Sequence, residues 1–251
     1  SALAAPAPAA LGVTLDWLSE PGHDLLAWDD PRYPAALLEL GHAPPVLYVM
    51  GQVDILARPA LAIVGSRNPT PQGVDNARAF ARALSGAGVA IVSGLAAGID
   101  GAAHEGALEG PGSTVGVMGT GLDRVYPARH RELAHAIAAR GLLLSEFPPG
   151  TPARDYHFPR RNRLISGLAR GVLVVEAALQ SGSLITARLA GDQGREVFAI
   201  PGSIHSPLSK GCHQLIREGA KLVESVEDVL VELRAQWTGT TDPAHGAGVE
   251  A

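Results

Sequence analysis

One cysteine, Cys212, in 251 residues excludes an internal disulfide framework. That usage fits a reducing compartment, so the cytoplasm is the expected location. Aromatic residues make up 4% of the chain, and any stacking surface must rest on a few rings. Positive charge is in deficit: 20 lysines and arginines against 25 acidic residues leave a net charge of −5. A polyanion would have to be gripped by a local cluster rather than by a basic coat. No apolar run approaches the roughly 18 residues that cross a bilayer, so no membrane partner is expected. The opening SALAAPAPAA lacks the basic flank and apolar core of a secretion signal and reads as a linker. Nine histidines lie at no zinc spacing, and Cys212 has no partner motif, so neither metal nor cofactor is assigned. Neither G-x-x-x-x-G-K-[ST] nor G-x-G-x-x-G occurs, which disfavours the standard nucleotide loops. Without a G-x-S-x-G elbow or an evident base for Ser93, Ser145 or Ser166, no catalytic residue is named.

What is present is an alternation. From Leu61 onward, short apolar runs (LAIVGS, VAIVSG, STVGVMG, LLLSEF, VLVVEA, EVFAIPG, KLVES) are separated by helical patterns, beginning at Pro71 and near Ile99. Continuous apolar strands of that length belong to a parallel sheet covered on both faces. The expected fold is α/β: an extended Rossmann-like, doubly wound, mostly parallel sheet with helices on both faces. Residues 57–236 form this core, residues 13–56 an N-terminal extension that packs on it, and residues 1–12 and 237–251 a flexible linker and tail. Ligands in such sheets bind beyond the carboxyl ends of the strands, so the turns there are the places to look for function.

The segment from His157 to Gly191 is the richest of these. FPRRNR puts Arg160, Arg161, Asn162 and Arg163 into the first turn of a helix, with Pro159 suited to its first position. A buried strand follows, and Ser181-Gly182-Ser183 opens a second helix. The unpaired N–H groups of both helix starts should face one end of the sheet, a setting for phosphate oxygens. Arg161 falls in the middle of the apolar face of Leu164, Ile165 and Leu168 and must emerge into the crevice to meet an anion or a carboxylate. Gly65-Ser66-Arg67 follows the first strand and precedes Thr70-Pro71, a cap and first helical position. Arg67 there is either a bidentate phosphate ligand or a surface salt-bridge partner. Phe158 is either a face on which an unpaired base stacks or a staple at the helix start. Arg124 and Arg129 either extend a basic rim or are simply solvated. Asp100 and His104 could pair on one helix face, or Asp100 could be a helix-start carboxylate with a local partner. Cys212 reads as a small core residue.

Taken together in order, AIVGSR (62–67), SGLAAGID (93–100), GTGLDRVYP (119–127), FPRRNRLISGL (158–168), SGSLITA (181–187) and IPGSIHSPLSKGCHQLIREGA (200–220) resemble the DNA-processing protein A family (DprA, also called Smf). The resemblance implies a dimeric Rossmann-like protein, not an enzyme, that binds single-stranded DNA, protects it as it enters during natural transformation, and loads the RecA recombinase on it. It implies DNA contacts at Gly65, Ser66, Arg67, Arg129, Phe158, Arg160, Arg161, Asn162, Arg163, Ser181, Gly182 and Ser183. Two departures bear on the pocket: His130 and His213 stand where the family usually has asparagine. The flanking small helical and winged-helix-like domains of many members are not evident, so a naturally short member or a trimmed core is expected.

Residues 205–233 are the expected dimer segment, with Leu215, Ile216, Leu222 and Val223 as candidates, although plain core explains them equally well. Two other functions suit the same fold. A phosphoribohydrolase-like enzyme would need P-G-G-x-G-T-x-x-E where this chain reads AALQSGSLIT (177–186), with Glu176 the available acid, unless that acid buttresses Arg161 or Arg163. A nucleotide sensor would place one small ligand in the crevice. On the DNA reading, alanine at Arg67, or at Arg161 and Arg163 together, should weaken binding and leave the thermal midpoint nearly unchanged.

Overall fold

The computed structural model describes residues 8–238. In chain order the elements are α1 (Pro8–Leu18), β1 (His23–Ala27), α2 (Ala35–Leu38), β2 (Val46–Gly51), β3 (Ala60–Val64), α3 (Pro71–Gly86), β4 (Ala90–Ser93), α4 (Ile99–Ala107) and β5 (Thr114–Val117). They continue with α5 (Arg131–Arg140), β6 (Leu142–Ser145), α6 (His157–Leu168), β7 (Gly171–Val174), α7 (Gly182–Asp192), β8 (Glu196–Ala199), α8 (Lys210–Arg217), β9 (Lys221–Leu222) and α9 (Val226–Thr238).

The nine strands among the described residues join one sheet in the order β1-β2-β6-β5-β4-β3-β7-β8-β9. Pairing is parallel from β6 through β9 and antiparallel for β1 with β2 and β2 with β6. The apolar runs are buried on both sides, as their continuity predicts. In β3, Ala60, Ala62 and Val64 join the core cluster that includes Leu164, Leu184 and Leu215 of α6, α7 and α8. Leu61 and Ile63 join the opposite cluster with Phe80, Ile99 and Val229 of α3, α4 and α9. From β3 the chain winds outward through β4 and β5 to β6, then returns to place β7 on the other side of β3. The connections leaving β3 and β7 therefore diverge, and a crevice opens between the carboxyl ends of these two strands.

Two local expectations change. The N-terminal extension does more than pack on the core, because β1 and β2 are hydrogen-bonded into the sheet beside β6. Leu47 and Val49 alternate into the core while Tyr48 and Met50 pack on the other side, a period of two that the neighbouring Pro44-Pro45 obscures. Residues 8–12, expected as linker, begin α1, where alanine favours the helix and Pro8 occupies its first position. The expected tail lies outside the described residues except for the end of α9. In the candidate dimer segment, Leu215 and Val223 are core and Ile216 packs against it, whereas Leu222 and Val231 are exposed by 49% and 55%.

Candidate nucleic-acid interface

The turn after β3 is held rigidly from below. Ser66 N–H donates to the Glu176 carbonyl at 2.7 Å, and its own carbonyl accepts from Ile99 N–H at 3.1 Å. Gly65 is wedged there: a Cβ would lie 2.7 Å from Ile99 Cγ1, so a larger residue would displace the turn. With Ser66 fixed, Arg67 projects outward and exposed, its guanidinium carbon 5.8 Å from the Phe158 ring centroid. Arg67 forms no ion pair among the described residues, which sets aside the salt-bridge reading. Thr70 caps α3 as expected, accepting from Gly73 N–H at 3.0 Å. Its hydroxyl donates to Glu176 Oε1 at 2.6 Å and its N–H to Oε2 at 2.9 Å. Glu176 thus buttresses no arginine. It leaves β7 toward the start of α3, where a carboxylate complements the helix dipole.

Arg161 departs from expectation in its partners. It is 4% exposed, and its Nη1 donates to the carbonyl of Gly94 at 2.6 Å and to that of Val117. Backbone acceptors at the ends of β4 and β5 therefore take the buried Nη1, and no carboxylate meets the guanidinium directly. Gly94 makes this approach possible, since a Cβ there would lie 2.5 Å from Nη1. Burial pushes Arg161 down to about 10, opposed by the nearby Asp100 carboxylate, so the guanidinium stays charged at neutral pH. Arg161 Nε is buried without a partner. Asp100 accepts from the N–H groups of Gly94 (3.1 Å) and Ala96 (3.3 Å), the local role of a helix-start carboxylate. Burial raises its pKa against the pull of Arg161. His104 does not pair with Asp100: its Nε2 accepts from Leu95 N–H at 3.2 Å and its Nδ1 meets Thr114 Oγ1 at 2.7 Å.

Helix α6 begins at His157, so Pro159 is its third residue rather than its first. His157 anchors the earlier start, with Nδ1 3.1 Å from the Gly119 carbonyl and its ring stacked on Phe147. Proline is tolerated there because first-turn N–H groups have no intrahelical acceptor. Phe158, Arg161, Asn162 and Ile165, spaced i, i+3, i+4, i+7, form the stripe of α6 that faces the crevice. Arg160 and Arg163 fall on another flank of the helix, outside the cavity. Each donates to Glu146 Oε2, at 3.0 and 2.6 Å, and the Glu146 side chain is 2% exposed. A buried carboxylate needs such partners, and two arginines spent on it do not line the cavity.

That cavity has a volume of about 600 Å³. Nine predicted residues meet in it: Gly65, Ser66, Arg67, Phe158, Arg161, Asn162, Ser181, Gly182 and Ser183. Ser181 caps α7, its hydroxyl 3.4 Å from Ser183 N and 2.7 Å from Ser183 Oγ. The starts of α6 and α7 therefore open onto one space, as anticipated. Arg129 lies outside it, in an adjoining recess of about 270 Å³ shared with Arg67, Tyr126, Phe158 and Arg161. Phe158 packs on Gly119, lies 5.3 Å from the Tyr126 ring and lines both spaces. Asn68, Asp155, Gln180 and Thr186 also line the cavity and were not anticipated. Their positions beside the predicted turns were the available signal.

The two unexpected histidines tie loops together. His130 Nδ1 lies 3.0 Å from the Leu95 carbonyl, and His213 Nε2 lies 3.0 Å from that of Gly202. Arg124 pairs with Asp123 at 3.5 Å and adds no unpaired charge to the rim. Cys212 is core, its thiol pushed up to about 11 by burial. Among the described residues no His, Cys, Asp or Glu cluster is placed to hold a metal, and no helix is long and apolar enough to cross a membrane.

Comparison with known proteins bears on this site. A sequence profile described as DNA recombination-mediator protein A matches residues 24–234. Protein Smf of Escherichia coli is 49% identical over 222 residues, covering 88% of this chain; the chain spans 59% of that relative's length. The X-ray structure of DNA processing protein A from Streptococcus pneumoniae superposes with a TM-score of 0.82 at 47% identity, over 87% of this chain and 76% of that one. DNA processing protein A from Helicobacter pylori, described for a unique single-stranded DNA binding mode, superposes with a TM-score of 0.78 at 31% identity, over 85% of this chain and 96% of that one.

Proposed function

Because the chain belongs to the DNA recombination-mediator protein A family, we propose that it binds single-stranded DNA in the crevice between β3 and β7 and acts there as a recombination mediator, without catalysis. The observation that carries this reading is the meeting of Arg67, Arg161, Phe158 and two helix starts in one cavity. Arg67 and the α7 start offer donors to phosphate oxygens, and Phe158 offers a ring to an unstacked base. Such a site prefers single strands because a duplex keeps its bases paired and stacked. It tolerates sequence because every base has a face, and salt weakens it because the strand's counterions are released on binding. We further propose that the protein works as a homodimer in the cytoplasm, protects incoming single strands and hands them to RecA.

Of the acids near the crevice, Glu176 is bonded to Thr70 and Asp100 to two backbone N–H groups, while Asp155 is exposed on the cavity wall, and the proposal gives none of them a catalytic role. Fluorescence anisotropy of a labelled oligothymidine at two salt concentrations, with the matching duplex as competitor, tests the proposal. Salt-weakened binding that duplex competes poorly supports it. No binding at low salt, or full competition by a mononucleotide, would favour a nucleotide enzyme or sensor instead.

A further inference from the structure

A second arrangement of rings and cations lies on the other side of the α6 start. Arg160 sits over the Phe147 ring, its guanidinium carbon 5.5 Å from the centroid. Phe147 stacks on His157 at 4.1 Å, and His157 meets the Tyr156 ring edge-on at 4.6 Å. Arg154 closes the series, its guanidinium carbon 5.9 Å over the Tyr156 ring and its Nη1 2.8 Å from the Tyr156 hydroxyl. The two middle rings are buried, but Tyr156 is 60% exposed, and both arginines are exposed. Burial of apolar surface does not explain Tyr156, since most of its ring faces solvent. The buried Phe147–His157 pair instead acts as a footing that holds Tyr156 and the two cations in place.

This footing adjoins the crevice. Asp155 lines the cavity, and Tyr156, next in the chain and immediately before α6, does not. We infer that a single strand held in the crevice continues over the start of α6 onto a second platform formed by Tyr156, Arg154 and Arg160. An exposed ring flanked by two cations suits one more base and its flanking phosphates. Glu146 does not cancel the platform's charge, because Arg163 shares that carboxylate with Arg160. At the crossing itself the carboxylate of Asp155 disfavours phosphate, which places a base or sugar there and the phosphates to either side.

This inference rests on the single-strand reading of the crevice, and a length series separates the two. Oligothymidines of about 5 and about 20 nucleotides lie near the lower end of, and above, the roughly 4–16-nucleotide footprints of single-strand-binding folds. The full chain should bind both, and Arg67→Ala should weaken both. Tyr156→Ala and Arg154→Gln should leave the short oligonucleotide unaffected and weaken the long one about tenfold, the scale of one lost base stack. As a second readout, the indole introduced by Tyr156→Trp should be quenched by the long oligonucleotide and not by the short. Equal effects of Tyr156→Ala on both lengths, no effect on either, or an introduced indole that the long oligonucleotide leaves unquenched would overturn the platform while leaving the crevice intact. Failure of the unsubstituted protein to bind either length would overturn both.

Discussion

Arg161 donates through Nη1 to the carbonyl oxygen of Gly94 at 2.6 Å, tying α6 to the end of β4 across the floor of the crevice. The contact makes this arginine part of the fold as well as part of the cavity wall. Arg67, in the same cavity, has no such tie. The two arginines should therefore fail differently when they are removed.

Arg67→Ala should weaken oligothymidine binding by about 1.5–3 kcal/mol, the scale of charge-assisted hydrogen bonds to phosphate. Its side chain is exposed and unpaired among the described residues, so the thermal midpoint should hardly move. Anisotropy and a thermal scan on the same preparation check both halves. Unaltered affinity in the folded variant would remove Arg67 from the site.

Arg161→Ala should unfold more readily than the parent, by about 3 kcal/mol in urea titration. The carbonyls of Gly94 and Val117 lose a buried donor, and Asp100 loses its nearby cation. Adding Arg163→Ala should cost further stability by leaving the buried Glu146 with Arg160 alone. The contacts argue against removing this pair without thermal cost, because both guanidiniums satisfy buried acceptors. A double variant with parental stability would contradict these contacts.

Asp155→Asn should strengthen single-strand binding several-fold at low salt and progressively less as salt is raised. Its carboxylate lines the cavity and repels phosphate, and an exposed charge of this kind is worth about 0.2–1 kcal/mol before screening. Weaker binding by the variant would show instead that Asp155 accepts a hydrogen bond from the strand.

His104 predicts a pH dependence of stability. Burial holds its pKa at about 3 in the folded chain, against 6.5 unperturbed. Below pH 6.5 the unfolded chain takes up a proton that the folded chain refuses, so stability falls as pH drops through the window from about 6.5 to 3. The slope from this group is about 1.4 kcal/mol per pH unit. Urea midpoints across that window should fall more steeply for the parent than for His104→Asn. Parallel curves would mean that His104 charges without cost.

Much of this was legible in the sequence for a local reason. Continuous apolar strands specify a sheet buried on both faces, and small residues after β3 and β7 specify tight turns at its carboxyl end. Those two facts placed nine of the predicted residues in one cavity. The i, i+3, i+4, i+7 spacing of Phe158, Arg161, Asn162 and Ile165 also lies in the sequence, and following it strictly separates Arg160 and Arg163 from this cavity. Their partner was not legible: Glu146 is 17 residues from Arg163, with no local pattern linking them.

The tertiary structure alone decided where charges were spent. Whether an arginine reaches a ligand, a backbone carbonyl or a buried carboxylate depends on which acceptor is buried beside it, and burial is a property of packed elements. The same holds for Glu176, drawn to the start of α3, and for β1 and β2, whose place in the sheet required an edge at β6 to pair with. Periodicity and turn chemistry determined the scaffold because they act between neighbours in the chain. The partners of the buried charges were settled by desolvation, which draws a buried ion to a counter-ion or a hydrogen-bond acceptor and acts only once distant segments meet.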